Sequence, residues 1–372
     1  MLIKNYANVP GNVCNLYFKN LLLSNQFILS FLMKKKSSAT LKDIAKQLGL
    51  STSTVSRALN NHTDINPETK KLVEKVAKEL NYQPNIFAKG FRSHRTRIIG
   101  VVVPKISHYY TSTILEGILE TAELNGYRVI ISESKNNFEK QIEMLNTMIQ
   151  FGVEGILLCL TRRTKDVKDI LSVLDRIPLV LFDKVSSKIP CTQVIIDDKQ
   201  SAYNAVEHLI NIGKKRIAIF KETENSFNSE KRFEGYLQAL KDNNIPIDEK
   251  LILSTEDISL KQGKRLTNIV LTLKQKPDAI FAITDSCAIG VIKTLKKFNI
   301  KIPENIGVVG FSNSFNSTII EPNLTTIDQP GNKMGKTAVK YLIEEIENDS
   351  LSYKTIELRT SLIVRASSFK AS

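Results

Sequence analysis

Residues 97–366 alternate short apolar runs with stretches of helical periodicity, and this alternation restricts the fold more than any other feature of the chain. Strands that alternate with helices of 10–15 residues are typical of parallel sheets with helices on both faces. Since roughly 270 residues are too many for one doubly wound sheet, the pattern predicts an α/β fold with two stacked lobes. Ligands then bind beyond the carboxyl ends of the strands, in a cleft between the lobes. The predicted strands are 98–103, 129–132, 155–160, 179–182, 194–196, 216–220, 279–283 and 306–311.

The excess positive charge is concentrated near the start of the chain. The whole sequence has 52 Lys and Arg against 38 Asp and Glu, a formal net charge of +14. Residues 34–97 hold 14 of the basic and 5 of the acidic side chains, a net of +9. A basic run is often only a solvated surface, but this confinement indicates nucleic acid or an anionic membrane as a partner.

The four cysteines support neither a disulfide framework nor a zinc site. They lie far apart, without a CxxC pair or a neighbouring histidine. This usage favours a reducing compartment, so we expect a cytoplasmic protein without a metal or another cofactor. The cysteines are Cys14, Cys159, Cys191 and Cys287.

The first 33 residues differ in character from the rest. Residues 21–33 are apolar, but this run of 13 is shorter than the roughly 20 residues that a membrane-spanning helix needs. It leads into three lysines without a small-residue cleavage site, which argues against a signal peptide. Met33 directly precedes these lysines. We therefore expect translation to begin at Met33, residues 1–32 to be a non-native or dispensable extension, and no membrane to be involved.

Residues 40–81 carry the signals of short helices. Thr40 and Asp43 have the spacing of a capping box, in which each side chain satisfies a free backbone N–H group. Gly49 is expected to end the first helix, and Ser51 is expected to cap the second. Two short helices joined by a glycine turn indicate a helix-turn-helix, a motif that binds DNA.

The second helix is expected to present small polar side chains on its outer face. Hydroxyl groups at the start of a helix can reach phosphates or base edges, and arginine pairs with guanine through two hydrogen bonds. Any single Ser or Thr at these positions can equally be a helix cap or a solvated side chain. A third helix is expected to open at Asn66, before a proline. The outward residues of the second helix are Thr52, Ser53, Ser56 and Arg57.

The literal sequence is more specific than the spacing. The strings TLKDIAKQLGLSTSTVSRALNN and INPETKKLVEKVAKELNYQPNIFAKGF closely resemble the headpiece of lactose-repressor-type (LacI/GalR) transcription regulators. The resemblance covers about residues 40–368. It implies that Thr52, Ser53 and Arg57 read bases in the major groove. It also implies that a second group of residues positions the helix on phosphates, namely Thr40, Ser51, Thr54, Ser56 and Asn60.

The resemblance also implies a hinge helix over residues 85–93, which orders on operator DNA and inserts a leucine into the minor groove. An apolar wedge of this kind unstacks a base step and kinks the duplex. The expected DNA-contacting positions of the hinge are Asn85, Ala88 and Phe91. Phe91 replaces the usual leucine and can otherwise be a core aromatic, while Gly90 lowers helix propensity by roughly 1 kcal/mol relative to alanine.

Strings in the two lobes, among them RIIGVVVP, RFEGYLQAL, IGVVGF and EPNLTTIDQP, extend the resemblance. They imply a periplasmic-binding-protein-like (type I) effector domain used inside the cell. Aromatic faces with a few charged hydrogen-bonding groups suit a sugar, a sugar derivative or another small polar molecule. The implied effector-binding residues are Tyr109, Tyr110, Asp183, Arg232, Asp285 and Ser312.

Three of these positions leave an alternative open. Arg232 can instead form a surface ion pair with Glu230 or Glu234, and Tyr110 can be a core residue. Ser312 stands where many members of the family have aspartate, so a ligand class inferred from that aspartate does not transfer to this chain.

Enzyme functions find little support. No GxGxxG follows the first predicted strand, and the four histidines are scattered. The string GNKMGKT at 331–337 resembles a phosphate-binding loop, but it has three residues between its glycines where that loop has four. We therefore interpret Gly331 as a turn and Lys336 as a solvated helix residue, and expect no enzyme. A secreted solute receptor remains an alternative that explains the lobes alone.

These features predict a definite domain organisation and mechanism. An extension over 1–33 precedes a headpiece over 34–84, a hinge and linker over 85–97, and an effector-binding and dimerisation domain over 98–372. We expect a repressor that binds a palindromic operator as a homodimer. An effector between the lobes would shift the population of two lobe arrangements. The sequence ends without a leucine heptad, so we expect a dimer and not a tetramer.

Overall fold

The structure, a computed structural model, describes residues 39–83, 95–162, 164, 166–223, 226–348 and 352–369. The described residues form two compact units, 39–83 and 95–369. The expected start at Met33 lies outside the described residues, as do the expected hinge positions Asn85, Ala88, Gly90 and Phe91.

The ends of the helices in the first unit follow from local sequence. Thr40 and Asp43 form the expected capping box, in which the Thr40 N–H donates to Asp43 Oδ2 at 2.8 Å. Gly49 follows the first helix in the left-handed conformation, at φ 64°, where the absence of a Cβ removes the steric cost. The backbone N–H of Thr54 donates to Ser51 Oγ at 3.1 Å, so the predicted cap of the second helix is confirmed. The helices are α1 (Leu41–Leu48), α2 (Thr52–Leu59) and α3 (Pro67–Glu79).

One small core holds these three helices together. Ile44 of α1, Val55 of α2 and Val73 of α3 have no solvent exposure and belong to one apolar cluster. Each helix therefore contributes one apolar face, as the helical spacing predicts, and α1 and α2 form the predicted helix-turn-helix.

The second unit has two lobes, each built on a six-stranded sheet. The first sheet has the order β11-β5-β4-β3-β1-β2 and is parallel throughout. The second has the order β12-β10-β9-β8-β6-β7, in which β12 alone runs antiparallel to its neighbour. The strands are β1 (Ile98–Val103), β2 (Arg128–Glu133), β3 (Gly155–Leu158), β4 (Leu179–Phe182), β5 (Gln193–Ile196), β6 (Ile217–Glu222), β7 (Ile252–Thr255), β8 (Ala279–Ala282), β9 (Gly307–Phe311), β10 (Thr325–Asp328), β11 (Thr355–Leu358) and β12 (Ser361–Ile363).

Helices connect the strands and cover both sheets. The chain passes between the lobes three times, after β5, after β10 and between β11 and β12. Residues that directly follow the carboxyl ends of strands in both sheets lie together at the junction of the lobes. The helices are α4 (Tyr109–Leu124), α5 (Phe138–Gln150), α6 (Lys168–Leu174), α7 (Asp198–Asn211), α8 (Phe227–Asp242), α9 (Leu260–Leu271), α10 (Asp285–Lys297), α11 (Asn316–Ile319) and α12 (Gly331–Glu347).

The two-lobed α/β fold is confirmed, and each of the eight predicted strands overlaps an observed one. Four observed strands lie outside these eight, namely the central strand β10 and the strands β7, β11 and β12, which lack a continuous apolar run. The last three lie at a sheet edge. An edge strand is covered on fewer sides than a central one, so its sequence alternates or mixes polar residues and resembles a loop.

The string that resembles a phosphate-binding loop lies in the contact between α4 and α12. Gly331 is the buried first residue of α12, so its interpretation as a turn was wrong. A Cβ on Gly335 would lie 2.1 Å from the backbone oxygen of Ile114, and one on Gly117 would lie 2.1 Å from that of Asn332. These glycines let the two helices pack backbone to backbone. Lys336 is about half exposed and pairs with Glu120 at 3.0 Å, which confirms its solvated position.

Candidate DNA-reading face and ligand cleft

The amino-terminal half of α2 carries the predicted base-reading side chains. Thr52, Ser53 and Arg57 are exposed, and Thr54 is half-buried. Ser56 is buried, with 9% exposure, so its predicted outward position was wrong. Successive helical residues turn by about 100°, which places Ser56 at the border of the inner face. The small serine side chain is buried there, next to Val55 of the core.

Several predicted phosphate-contacting groups already have partners within the headpiece. Thr40 Oγ1 donates to Asp43 Oδ2 at 2.7 Å, and Ser51 Oγ lies 2.8 Å from Thr54 Oγ1. Asn60 Nδ2 donates to the backbone oxygen of Ser56 at 2.8 Å. These side chains therefore stabilise the helix ends, whatever further contact they make with DNA.

A cleft of about 320 Å³ lies between the lobes of the second unit. Five of the six predicted effector-binding residues line it. Tyr109, with 42% exposure, stands at the start of α4, while Tyr110 behind it is 4% exposed and also belongs to the core. Tyr110 is thus both a core residue and a residue that lines the cleft, so both interpretations describe its position. The five are Tyr109, Tyr110, Asp183, Arg232 and Ser312.

Asp183 joins the two lobes from the end of β4. Its Oδ1 accepts from Asn228 Nδ2 at 2.7 Å, and its Oδ2 lies 3.3 Å from Lys184 Nζ. Burial alone would raise the pKa of Asp183, but Lys184 and the Asn228 amide outweigh it, so the pKa is lowered and the group is ionised. The backbone of Asp183 has φ 60°, which is uncommon for a residue with a Cβ. Such a conformation is typical of residues that a functional site holds in place.

Arg232 projects from α8 into the base of the cleft, where it is 6% exposed. Its Nε donates to Asp198 Oδ1 at 2.7 Å, and its Nη1 donates to the backbone oxygen of Ile283 at 2.6 Å. The guanidinium carbon lies 3.6 Å from the centre of the Phe311 ring. The alternative of a surface ion pair was wrong, because Arg232 is buried and pairs with Asp198.

Ser312 lies at the end of β9 and Asp285 at the start of α10. Ser312 has φ 122° and donates to Gln329 Oε1 at 2.8 Å. Asp285 is not among the cleft-lining residues, although its neighbours Thr284 and Ser286 are, so its contact with an effector stays a prediction. Its carboxylate accepts from the Ser314 N–H and from Thr326 Oγ1, both at 2.6 Å. Asp285 therefore holds the loop that carries Ser312.

Eight cleft residues with charged or amide side chains were missed by sequence reasoning. Asn228 precedes Arg232 by one helical turn on α8, so the periodicity of that helix could have indicated it. Arg162 bridges the lobes, with Nη2 2.7 Å from Glu222 Oε1 and Nη1 donating to the backbone oxygen of Glu256 at 2.6 Å. No local pattern predicts such a pair. The eight are Lys105, Asn136, Arg162, Lys184, Glu222, Asn228, Asp257 and Gln329.

Three buried amide atoms at the cleft have no hydrogen-bond partner among the described residues. They are Asn136 Oδ1 and Asn228 Oδ1, both acceptors, and Gln329 Nε2, a donor. A buried polar atom without a partner costs free energy. All three residues line the cleft, so a polar molecule bound there can satisfy them.

The ion pair at the base of the cleft predicts a pH dependence of stability. Burial raises the pKa of Asp198 to about 6, although the charge of Arg232 acts in the opposite direction. The folded state then binds this proton more tightly than the unfolded chain does. The stabilising contribution is therefore present at low pH and lost as the pH rises through 6.

We expect the unfolding free energy of the natural protein, relative to that of Asp198→Asn, to fall by about 1 kcal/mol between roughly pH 5 and pH 7.5. Urea unfolding of both proteins at the two pH values measures this difference. A relative gain in stability as the pH rises would show that the pKa of Asp198 is lowered.

Two other kinds of site are absent from the described parts of the chain. No helix there combines the length and the apolar character needed to cross a membrane. Within the same residues, no group of three or more His, Cys, Asp or Glu side chains could hold a metal ion.

Comparison with known proteins identifies both units. Residues 40–85 match the bacterial regulatory proteins of the lacI family, and residues 96–366 match the periplasmic binding proteins and sugar binding domain of the LacI family. The NTD biosynthesis operon regulator NtdR of Bacillus subtilis (strain 168) is 34% identical over 329 residues, which cover 88% of this chain and 99% of that protein.

Solved structures agree with these matches. The lac repressor dimer bound to operator and the anti-inducer ONPF has a TM-score of 0.80 at 25% identity, covering 90% of this chain and 100% of that one. A complex of the transcriptional regulator CelR with cellobiose has a TM-score of 0.67 at 25% identity, covering 88% and 99%. A receptor without a headpiece is therefore not favoured, and the chain belongs to the LacI family of DNA-binding transcription regulators.

Proposed function

We propose that this protein is a cytoplasmic repressor that binds a palindromic operator as a homodimer. A small polyhydroxylated effector, a sugar or sugar derivative, raises or lowers its affinity for that operator. One observation carries the proposal: a single chain contains both a headpiece with an exposed reading helix and a two-lobed unit with a polar cleft. The relatives of this chain are transcription regulators, which supports a binding role for the cleft and not a catalytic one.

Operator recognition is tested by selection of DNA from a random duplex library. We expect the full chain to enrich a two-fold symmetric sequence, because a symmetric dimer places two headpieces on two half-sites. The affinity for that sequence should fall with salt, with a log–log slope near −0.9 for each phosphate neutralised. Enrichment of no sequence would contradict operator recognition, and enrichment of an asymmetric one would contradict the dimer.

The charge balance of the cleft favours an effector without a phosphate group. Its buried and half-buried charges are paired with each other, Arg162 with Glu222, Lys184 with Asp183, and Arg232 with Asp198. A phosphate would have to compete with these carboxylates for the cations. A hydroxyl both donates and accepts, so hydroxyl groups suit the unpartnered acceptor of Asn228 and the donor of Gln329.

Thermal-shift screening with sugars and their phosphate esters tests this class of effector. We expect a free sugar to raise the melting temperature, since binding to the folded state alone stabilises it. The Asn228→Ala variant should lose most of this shift. The surface variant Asn268→Ala, on the exposed side of α9, should keep it. A shift by the phosphate ester alone, or an equal shift in both variants, would contradict the proposed site.

A further inference from the structure

We propose that Asp64, in the loop between α2 and α3, is a specificity determinant of the DNA-reading face that acts by positioning Arg57. This inference rests on the proposed operator recognition. In the headpiece, Arg57 Nη2 forms an ion pair with Asp64 Oδ2. Nothing in the spacing of the helix-turn-helix predicts this contact, because Asp64 lies beyond the end of the reading helix.

The loop that carries Asp64 is anchored on the residue whose side chain it holds. The backbone N–H of His62 donates to the backbone oxygen of Arg57 at 3.1 Å, and the N–H of Ile65 donates to that of His62 at 3.3 Å. Asn61, at the start of the loop, has φ 57°, which turns the chain back toward the end of α2. These contacts hold the backbone of the loop beside Arg57, within reach of the ion pair with Asp64.

The ion pair is exposed, which separates a role in recognition from a role in stability. The side chains of Arg57 and Asp64 are 52% and 46% exposed. Exposed ion pairs contribute little to the free energy of unfolding. They can nonetheless limit the conformations of a long side chain, and a side chain held in its bound conformation loses less entropy on binding.

The geometry leaves Arg57 free to read a base. A guanidinium has five N–H donors, and the contact with Asp64 involves one of its three nitrogens. The remaining donors can pair with O6 and N7 of guanine. With Arg57 oriented in this way, a guanine at the right position receives two hydrogen bonds while the ion pair persists.

The same carboxylate disfavours other sequences. A negative charge close to the phosphates of DNA is repelled, and Arg57 compensates it only as long as the ion pair persists. Where no guanine is available, the most favourable contact of the guanidinium is with a phosphate. The negative charge of Asp64 then lies beside the duplex without its partner. Asp64 therefore lowers the affinity for non-cognate DNA more than the affinity for the operator, so it widens the difference between them.

The test compares the full chain with Asp64→Asn, which keeps the shape of the side chain and removes its charge. The operator selected by the natural protein and a scrambled duplex of equal length serve as ligands at one salt concentration. We expect the ratio of the two affinities to fall roughly 2- to 5-fold, the range that corresponds to a single exposed charge pair. The fall should come chiefly from tighter binding of the scrambled duplex.

Glu74→Gln is the matched control, because it removes the same charge from an exposed position on α3. It should raise both affinities and leave their ratio unchanged. In an Arg57→Ala background, Asp64→Asn should no longer alter the ratio. Circular dichroism confirms that each variant keeps its helices.

An unchanged ratio in Asp64→Asn would overturn the inference, as would an equal fall in Glu74→Gln. Both results are compatible with operator recognition itself. If the natural protein selects no sequence at all, the proposed function fails, and the inference fails with it.

Discussion

Replacing Arg232 by alanine is expected to lower the free energy of unfolding by about 3 kcal/mol or more. Asp198 is 4% exposed, and Arg232 is its ion-pair partner at 2.7 Å. Without that partner the carboxylate must either stay charged in a buried site or take up a proton at neutral pH. The variant also loses the contact of the guanidinium with the Phe311 ring. A loss of effector response in this variant would therefore report damage to the fold as well as to the site.

The double variant Arg232→Ala/Asp198→Asn separates damage to the fold from damage to the site. It removes the uncompensated charge, so we expect it to recover part of the stability that the single variant loses. Lys231→Ala is the matched control: Lys231 is the exposed neighbour that pairs with Glu234, and its loss should cost less than about 1 kcal/mol. Urea unfolding measures all three. A cost for Arg232→Ala no larger than that of Lys231→Ala would contradict the buried pair.

Replacing Gly335 by valine is expected to cost about 3 kcal/mol or more, because the contact between α4 and α12 has no space for a side chain. Even a single Cβ at this position would lie 2.1 Å from the backbone oxygen of Ile114 and 2.8 Å from the backbone nitrogen of Ile118. Backbone atoms cannot move aside as the end of a flexible side chain can, so the two helices must separate. Separation would disturb the first lobe, where α4 carries Tyr109 to the cleft.

The neighbouring Lys336→Ala is the control for this variant. Lys336 is about half exposed and pairs with Glu120 on the surface, so its loss should change stability by less than about 1 kcal/mol. Thermal unfolding of the two variants in parallel gives the comparison. If Gly335→Val unfolds at the temperature of the natural protein, the close packing of α4 and α12 is wrong.

Much of the headpiece could be predicted because its determinants are local. The capping box of Thr40 and Asp43, the cap of Ser51 and the left-handed turn at Gly49 each depend on residues a few positions apart. The buried strands of both lobes could also be predicted, since a strand covered on both faces needs an unbroken apolar run. The edge strands β7, β11 and β12 could not, because exposure allows them polar residues.

The ligand cleft was predicted only in part, because long-range pairs decide what its side chains do. Arg232 was placed in the cleft, but its partner Asp198 lies 34 positions away on another helix. The partners of the Asp285 carboxylate, Ser314 and Thr326, lie 29 and 41 positions away along the chain, so no local pattern predicts them. Ser56 was placed outward because a position at the border of a helical face is ambiguous until the neighbouring helices are known.

Control of the headpiece by the cleft is measured as the affinity of the full chain for its selected operator, with and without a saturating concentration of the sugar found by thermal shift. Two sites on one protein that bias the same equilibrium must alter each other's affinity. We predict a change of at least about 5-fold, in either direction, which is the lower end of typical coupling between allosteric sites. The same change should be absent in Asn228→Ala and present in Asn268→Ala. Equal operator affinities with and without the bound sugar would contradict the claim that the cleft controls the headpiece.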